Sequence, residues 1–289
     1  MNNFRHSSSP YKIIYFGTHS TFSLYPLLEL LRHEQIIIGI VLPNRAFIDK
    51  NIENYIPLKS TINLLNNTII DISWKHQIPI WNISDLPTNL DFDLLLVSCF
   101  PHKIQESLIA KAKVASVNIH PSILPEYKGP APIFWQWRNG ETTFGVTLHH
   151  LNSNLDEGDI VSQTTIQLEN GTSGEESNKI LSKLGSNLLI ESLQKHHFPK
   201  HPQNRHGTYQ SWPTSEDWYI PTTWPVVRAF NFIRGVSDWK KPFTITHNNK
   251  TKIIYTSTGY CLGNSIIGTI RMKQNGKYEI GFSDGWLEF

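Results

Sequence analysis

The chain has 289 residues, enough for one large domain or two of ordinary size, since a domain takes about 100 to 200 residues. Hydrophobic residues make up 39% and charged residues 17%, which excludes a disordered polyelectrolyte, and the longest apolar runs, Ile36 to Leu42 and Leu94 to Val97, fall far short of the roughly 20 residues a membrane span needs. Lys and Arg number 26 against 24 Asp and Glu, a formal charge of +2 that is too small for a dedicated nucleic-acid binder.

Residues 11 to 17, YKIIYFG, read as a buried strand closed by Gly17, and Thr18 to Arg32 as a helix with Leu24, Leu27, Leu28 and Leu31 on one face. Ile36 to Leu42 is a second apolar strand, stopped by Pro43. A helix through Leu58 to Leu65 and a short strand at Pro79 to Trp81 are expected next. Asp93 to Phe100, DLLLVSCF, is a continuous apolar run of the kind that sits inside a parallel sheet, covered on both faces. A helix over Lys103 to Lys113 leads to a strand at Ala115 to Ile119. This alternation predicts an α/β fold with a Rossmann-like, mostly parallel sheet. No GxGxxG follows the first strand, where the run is GTHSTFS, so a dinucleotide fingerprint is not supported.

Gly145 to Leu151 and Ile160 to Gln167 read as strands, and Ser173 to Gln194 as an amphipathic helix with Ile180, Leu184, Leu188 and Leu189 inward. From Lys195 to Pro225 no period holds, and the stretch reads as a long connection rich in tryptophan. A helix at Val226 to Gly235 precedes short strands at Phe243 to His247, Ile253 to Ser257, Ile266 to Met272 and Tyr278 to Phe282, with turns at Asn248-Asn249 and Asn275-Gly276. The expected division is an α/β domain over residues 1–200, a connection over 201–225 and a small β-rich domain over 226–289. Cys99 and Cys261 are the only cysteines, which argues against a disulfide framework or an all-thiolate metal cluster. The opening MNNFRHSSSP has no apolar core of a secretory signal, so the expected compartment is the cytoplasm.

Chemistry concentrates in SVNIHPSILPEYKGPAPIFWQWRNGETTFGVTLHHLNSNLDEGDI, residues 116 to 160. Asn118 and His120 alternate at the end of a strand, so period two puts both side chains on one side, and Pro121 stops the strand at the carboxyl edge of the sheet, where open α/β sheets hold ligands. Asp156 follows in the LDEGD loop, next to the turn-permitting Gly158. An amide, an imidazole and a carboxylate can together run acyl transfer to an amine. The amide donates to a carbonyl oxygen as it becomes an oxyanion, the imidazole moves protons near its own pKa, and the carboxylate tunes the imidazole. Such chemistry calls for no metal ligand. Taken singly, Asn118 reads equally well as a turn cap, His120 as a structural histidine and Asp156 as a turn residue. His149 and His150 occupy adjacent strand positions and point to opposite faces, which argues against paired metal ligation.

Asn118-Ile119-His120-Pro121-Ser122, continuing as ILPEYKGPAPI and then LDEGDI, closely resembles the core of the formyltransferases that use 10-formyltetrahydrofolate, whose pattern is NxHxSxLPxxxGxxP followed by a DxGD-like loop; here Asn118 and Asp156 are 38 positions apart. IYFGTHSTFSLYPLLELL and RAFNFIRGVSDW are similar to the start and the C-terminal opening of methionyl-tRNA formyltransferases. The resemblance spans most of residues 11 to 245 and implies a Rossmann-like catalytic domain with a small β-rich C-terminal domain. It implies Asn118, His120 and Asp156 as the catalytic triad; Phe100, Pro101, His102, Ile104 and Leu155 around the folate; and Thr18, Phe22, Ser122 and Gly129 toward the acceptor. The folate is a co-substrate, carrying its formyl group on N10 or N5, and the partner is a primary amine on an amino sugar, a peptide or natural product, or methionyl-tRNA.

The loop after the second strand, PNRAFIDKNIENYIPLKS, scatters Arg45, Lys50 and Lys59 among acids rather than forming the basic run that engages an acceptor stem, which favours an amino sugar, peptide or natural-product amine, while overall domain order and the C-terminal resemblance favour methionyl-tRNA. Lys240, Lys241, Lys250 and Lys252 read as a solvated face. YQSWPTSEDWYIPTTW reads as a linker pinned by buried indoles, with a stacking platform as the alternative. Water as acceptor, giving a 10-formyltetrahydrofolate hydrolase, and a non-catalytic folate-binding module are the remaining alternatives.

Overall fold

The runs that are apolar at nearly every position form the central strands: β1 (Lys12–Phe16), β2 (Ile36–Leu42), β4 (Leu94–Ser98) and β5 (Ala115–His120). The structure is a computed structural model and describes residues 9–43, 68–203, 207–248 and 250–289. Among these residues the main sheet runs β3-β2-β1-β4-β5-β6-β7, with β3 at Ile80–Asn82, β6 at Thr143–His150 and β7 at Ile160–Gln167. Neighbours from β3 to β5 are parallel, and β6 is antiparallel to β5. The sheet is thus mostly parallel with helices, and an antiparallel β-rich region follows toward the C-terminus.

The described chain packs into two units. The first takes in the residues up to His120, Val146–Gln163 and Ser182–Gln203; the second takes in Pro121–Gly145, Thr164–Leu181 and the described residues from 207 on. In the first unit α1 (Thr21–Arg32) is capped by Ser20, whose hydroxyl accepts from Ser23 N–H at 3.3 Å. The long helix α5 (Gly174–Gln194) lies against β5 and β6 at Gly185, where a β-carbon would sit 2.3 Å from Ile119 and 3.0 Å from Val146. Because β1, β4 and β5 are parallel, their carboxyl ends share one edge.

In the second unit α4 (Pro132–Asn139) starts with proline in its first turn and ends at Gly140, which takes the left-handed φ of 79°. It packs on α6 (Val226–Gly235) so closely that a β-carbon at Gly235 would lie 2.4 Å from the Trp137 ring. Around them Trp218, Phe134, Phe232, Trp239 and Phe243 meet ring to ring at 5.2 to 6.5 Å. The hairpin β8–β9 (Phe243–His247, Lys250–Ile254) and the sheet β10-β13-β12-β11 (Gly259–Leu262, Gly285–Glu288, Tyr278–Phe282, Ile270–Met272) complete this unit. Trp218 is buried and Trp224 lies under the Arg228 guanidinium at 3.8 Å, whereas Trp212 is half exposed.

Several elements differ from their sequence-based expectation. The helix expected over 103–113 shortens to α3 (Glu106–Ile109), because the backbone beyond Ala110 turns to deliver Lys113 N–H to the Phe92 carbonyl and start β5. The hairpin contact of His247 with Lys250 pulls β9 forward from the expected 253–257. Gly268, at a φ of 73°, breaks the run expected from 266, so the regular register starts at Ile270, although Gly268 N–H still donates to the Gly281 carbonyl at 2.8 Å. Helix α4, helix α2 (Ile69–Lys75, capped by the Thr68–Asp71 box) and strands β10 and β13 are additions too short for their periodicity to register. The helix expected at 58–65 and the loop carrying Arg45, Lys50 and Lys59 lie outside the described residues.

Candidate active site

The last turns of β5 and β6 build the site in the first unit. Register pairs Asn118 directly with His149 and His120 with Thr147, so Asn118, His120 and His149 project from one face at the carboxyl end of β5. The chain then returns through residues 151 to 159, and Asp156 adopts a left-handed φ of 56°. Two anchors shape this loop. The Gln203 amide donates to the carbonyls of Asp156 at 2.9 Å and Gly158 at 2.7 Å. Gly158 itself presses on β6: a β-carbon there would sit 1.8 Å from the His150 carbonyl oxygen.

The side chains gather around one atom. Asp156 Oδ1 lies 3.4 Å from Asn118 Nδ2, 3.6 Å from His120 Nδ1 and 3.6 Å from His149 Nε2. Three of these residues are buried, His149 at 1%, His120 at 4% and Asp156 at 6% exposed, and Asn118 is half buried. Separations of 3.4 to 3.6 Å exceed a strong hydrogen bond. The charge of the carboxylate is felt by all three neighbours at this range, an effect that a water-poor setting strengthens. Asn118 Nδ2 also reaches His149 Nε2 at 3.1 Å, and the two imidazoles stand edge to face at 6.2 Å. Strand alternation treats His149 only as half of a possible metal pair with His150 and gives it no place beside Asn118. The signal that finds it is tertiary: antiparallel pairing puts it opposite Asn118. His150 does face the other way, toward the carbonyls of Phe198 and Pro199, and burial pushes its imidazole pKa down.

The expected folate residues lie on the same unit. Phe100 stands edge-on to Phe16 at 5.2 Å and to His102 at 5.5 Å, Pro101 is half buried, and Ile104 is buried in the cluster of Phe16, Val97 and Leu95. The chain turns there at Cys99, with a φ of 59°. Leu155, beside Asp156, is 46% exposed.

The expected acceptor residues are placed differently. Thr18 Oγ1 donates to Ser20 Oγ at 2.9 Å within the cap of α1, and Phe22 is a core side chain, 1% exposed. Ser122 and Gly129 belong to the second unit. The Ser122 hydroxyl donates to Glu126 O at 2.7 Å, and Gly129, at a φ of 109°, lies against Gln210 O, where a β-carbon would clash at 2.1 Å. Among the described residues, no group of three or more His, Cys, Asp and Glu side chains is arranged to hold a metal ion, and no helix is long and apolar enough to cross a membrane.

Residues 76–193 match the family described as Formyl transferase. The methionyl-tRNA formyltransferase of Staphylococcus aureus (strain JH1) is 29% identical over 262 residues, covering 84% of this chain and 78% of that protein. The N-formyltransferase from Helicobacter canadensis, solved with folinic acid and dTDP-3-aminofucose, aligns over 96% of this chain and 99% of its own with a TM-score of 0.62 at 16% identity. HypX from Aquifex aeolicus aligns over 97% of this chain with a TM-score of 0.61 at 15% identity, and this chain spans 44% of it. At such identities the two structures speak for the fold, while the family match and the sequence relative speak for descent. Residues 76–193 thus carry a formyl transferase domain built around the Asn-x-His strand end of a mostly parallel sheet, and the chain is an enzyme similar to the formyltransferases over most of its length.

Proposed function

We propose that the protein transfers the formyl group of 10-formyltetrahydrofolate to a primary amine, with Asn118, His120 and Asp156 as its catalytic residues. The observation that carries this reading is the convergence of Asn118 and His120 on Asp156 Oδ1, within 3.6 Å, at the carboxyl end of a buried parallel strand. When bound, the folate supplies an activated formyl group. Asn118 donates an amide hydrogen to the formyl oxygen as negative charge builds there. His120, with Nδ1 turned toward Asp156, takes a proton from the attacking amine and returns one to the departing nitrogen through Nε2. Asp156 stabilises the imidazolium form that this shuttle requires and holds the ring in orientation. Phe100, Pro101, His102, Ile104 and Leu155 are the residues that would hold the pterin end and keep water from it.

The acceptor of first choice is methionyl-tRNA, because the sequence likeness to the S. aureus enzyme runs through 84% of this chain rather than stopping at the matched domain. A nucleotide-linked amino sugar is the second, favoured by the near-complete structural alignment with the H. canadensis enzyme.

The test is incubation with 10-formyltetrahydrofolate and separate pools of methionyl-tRNA, nucleotide-linked amino sugars and amine-bearing peptides, following tetrahydrofolate release and formylated product by mass spectrometry. A formylated amine is the expected result. Release without any amine would make the protein a hydrolase, and folate binding without turnover a binding module. In the active pool His120→Ala should lower the rate at least about 100-fold with folate binding retained; an active variant would remove His120 from the mechanism.

A further inference from the structure

We propose that His149 is a positioning residue for Asn118: its imidazole, held in one tautomer by the His150 carbonyl, takes one amide hydrogen of Asn118 and so aims the amide NH2, rather than the amide oxygen, into the site. The inference deepens the function proposed above and rests on Asn118 being the oxyanion donor.

The tautomer follows from the partners. His149 Nδ1 lies 2.8 Å from the His150 carbonyl oxygen, which can only accept, so the ring hydrogen sits on Nδ1. Nε2 of the neutral ring is then a bare acceptor, 3.1 Å from Asn118 Nδ2. For the neutral ring, the other tautomer and the turned-over amide each bring like against like. A hydrogen on Nε2 would set two donors against each other and a lone pair against the carbonyl. Turning the Asn118 amide over would point its oxygen at the bare Nε2 and toward the Asp156 carboxylate, which stands 3.4 Å from Nδ2. In a pocket where His149 is 1% exposed, water does not relieve such contacts.

An amide NH2 has two hydrogens. His149 takes one in a good hydrogen bond. The other has only the long contact to Asp156 and is readily redirected to a carbonyl oxygen that is gaining charge. Orientation of the donor is thus settled before substrate arrives, the condition under which such a donor is most effective. The charged and titratable groups facing His149 are Asp156 from the loop and His120 from β5; on its own strand, His150 turns away. Gly158 supports the same device from below, since the His150 carbonyl that fixes the tautomer packs on its backbone.

The test compares His149→Leu, which keeps bulk but removes the acceptor, with His149→Gln, which keeps an acceptor oxygen near the position of Nε2, and with both changes in an Asn118→Ala background. Tetrahydrofolate release is followed with 10-formyltetrahydrofolate and methionyl-tRNA or a dTDP-linked amino sugar as the probe acceptor. His149→Leu should lower kcat about 10 to 100-fold, with KM for the folate changed less than about 3-fold, because it misaligns a group that acts mainly in the transition state. His149→Gln should recover most of that loss. In the Asn118→Ala background His149→Leu should add less than about 2-fold, since the donor it positions is gone. Unchanged kcat in His149→Leu, or losses that multiply in the double variant, would overturn the proposal. If Asn118→Ala is itself fully active, the underlying reading of Asn118 fails; if it is crippled while His149→Leu is not, the His149 assignment fails alone. A binding-independent check covers a variant that does not fold or a probe that is not turned over: long-range 1H–15N spectra of the histidine-labelled wild-type protein at neutral pH should show His149 with its hydrogen on Nδ1, and a hydrogen on Nε2 rejects the assignment.

Discussion

In the first unit Asn118, His120 and His149 converge on a single Asp156 oxygen at 3.4 to 3.6 Å, whereas in the second unit Trp218, Phe134, Phe232, Trp239 and Phe243 meet ring to ring. Both clusters are largely buried, yet they depend on different physics. Contacts between aromatic rings are short-ranged, tolerant of angle and additive over area, so they serve stability. A carboxylate among two imidazoles and an amide is directional, and its desolvation offsets much of its attraction, so it adds little stability and much chemical specificity. On the proposed function, one unit carries a cluster whose loss should be read in unfolding, and the other a cluster whose loss should be read in turnover.

Variants on either side can break or sharpen that contrast. Trp218→Ala should have the largest effect on stability, about 3 to 5 kcal/mol by removing a buried indole from a close-packed cluster, measured by denaturant unfolding. A cost under about 1 kcal/mol would mean that the aromatic cluster is not a stability centre. Gly158→Ala should act on turnover instead. The added carbon would lie 1.8 Å from the His150 carbonyl, and displacing the loop by a fraction of an ångström should cost about 100-fold in kcat; an active Gly158→Ala enzyme would show that loop geometry is not limiting. The smallest effect belongs to the C-terminal sheet. Lys277, then Thr258 and Lys273, hold the Glu288 carboxyl down from 4.5 to about 2. A carboxylate depressed in the folded state contributes stability that is complete above its unfolded pKa and lost as pH falls through the folded one. The Tm difference between wild type and Glu288→Gln should therefore be steady above 4.5 and shrink toward pH 2; a difference independent of pH would leave the surface ion pairs without a part in stability.

Strand runs such as LLLVS and IIIGIVL were legible because a strand buried on both faces has no polar alternation, and their mostly parallel order followed from alternation with helices. Helix α4 was not, because eight residues with three aromatics and a proline are too few for a period to register, and its place is set only where Trp137 meets Gly235. The tryptophans of the connection read as pinned indoles, and Trp218 and Trp224 are so placed, while Trp212 remains half exposed. In the site, Asn118 and His120 were legible from period two and the proline that follows. Phe22, expected toward an acceptor, is a core residue, since burial depends on the turn of α1 and not on distance from Gly17.

By itself the sequence determined the order of the central strands, the chemical identities at the end of β5, and the resemblance that those identities carry, because each of these is written in residues near one another along the chain. Tertiary structure alone decided that His149 stands opposite Asn118 and that Asp156, 38 positions beyond Asn118, brings one oxygen within reach of both histidines. The physical reason is that strand pairing and a loop held by Gln203 and Gly158 bring together groups whose separation in sequence says nothing about distance, and only at that distance do charge and hydrogen-bond polarity select one arrangement of the site.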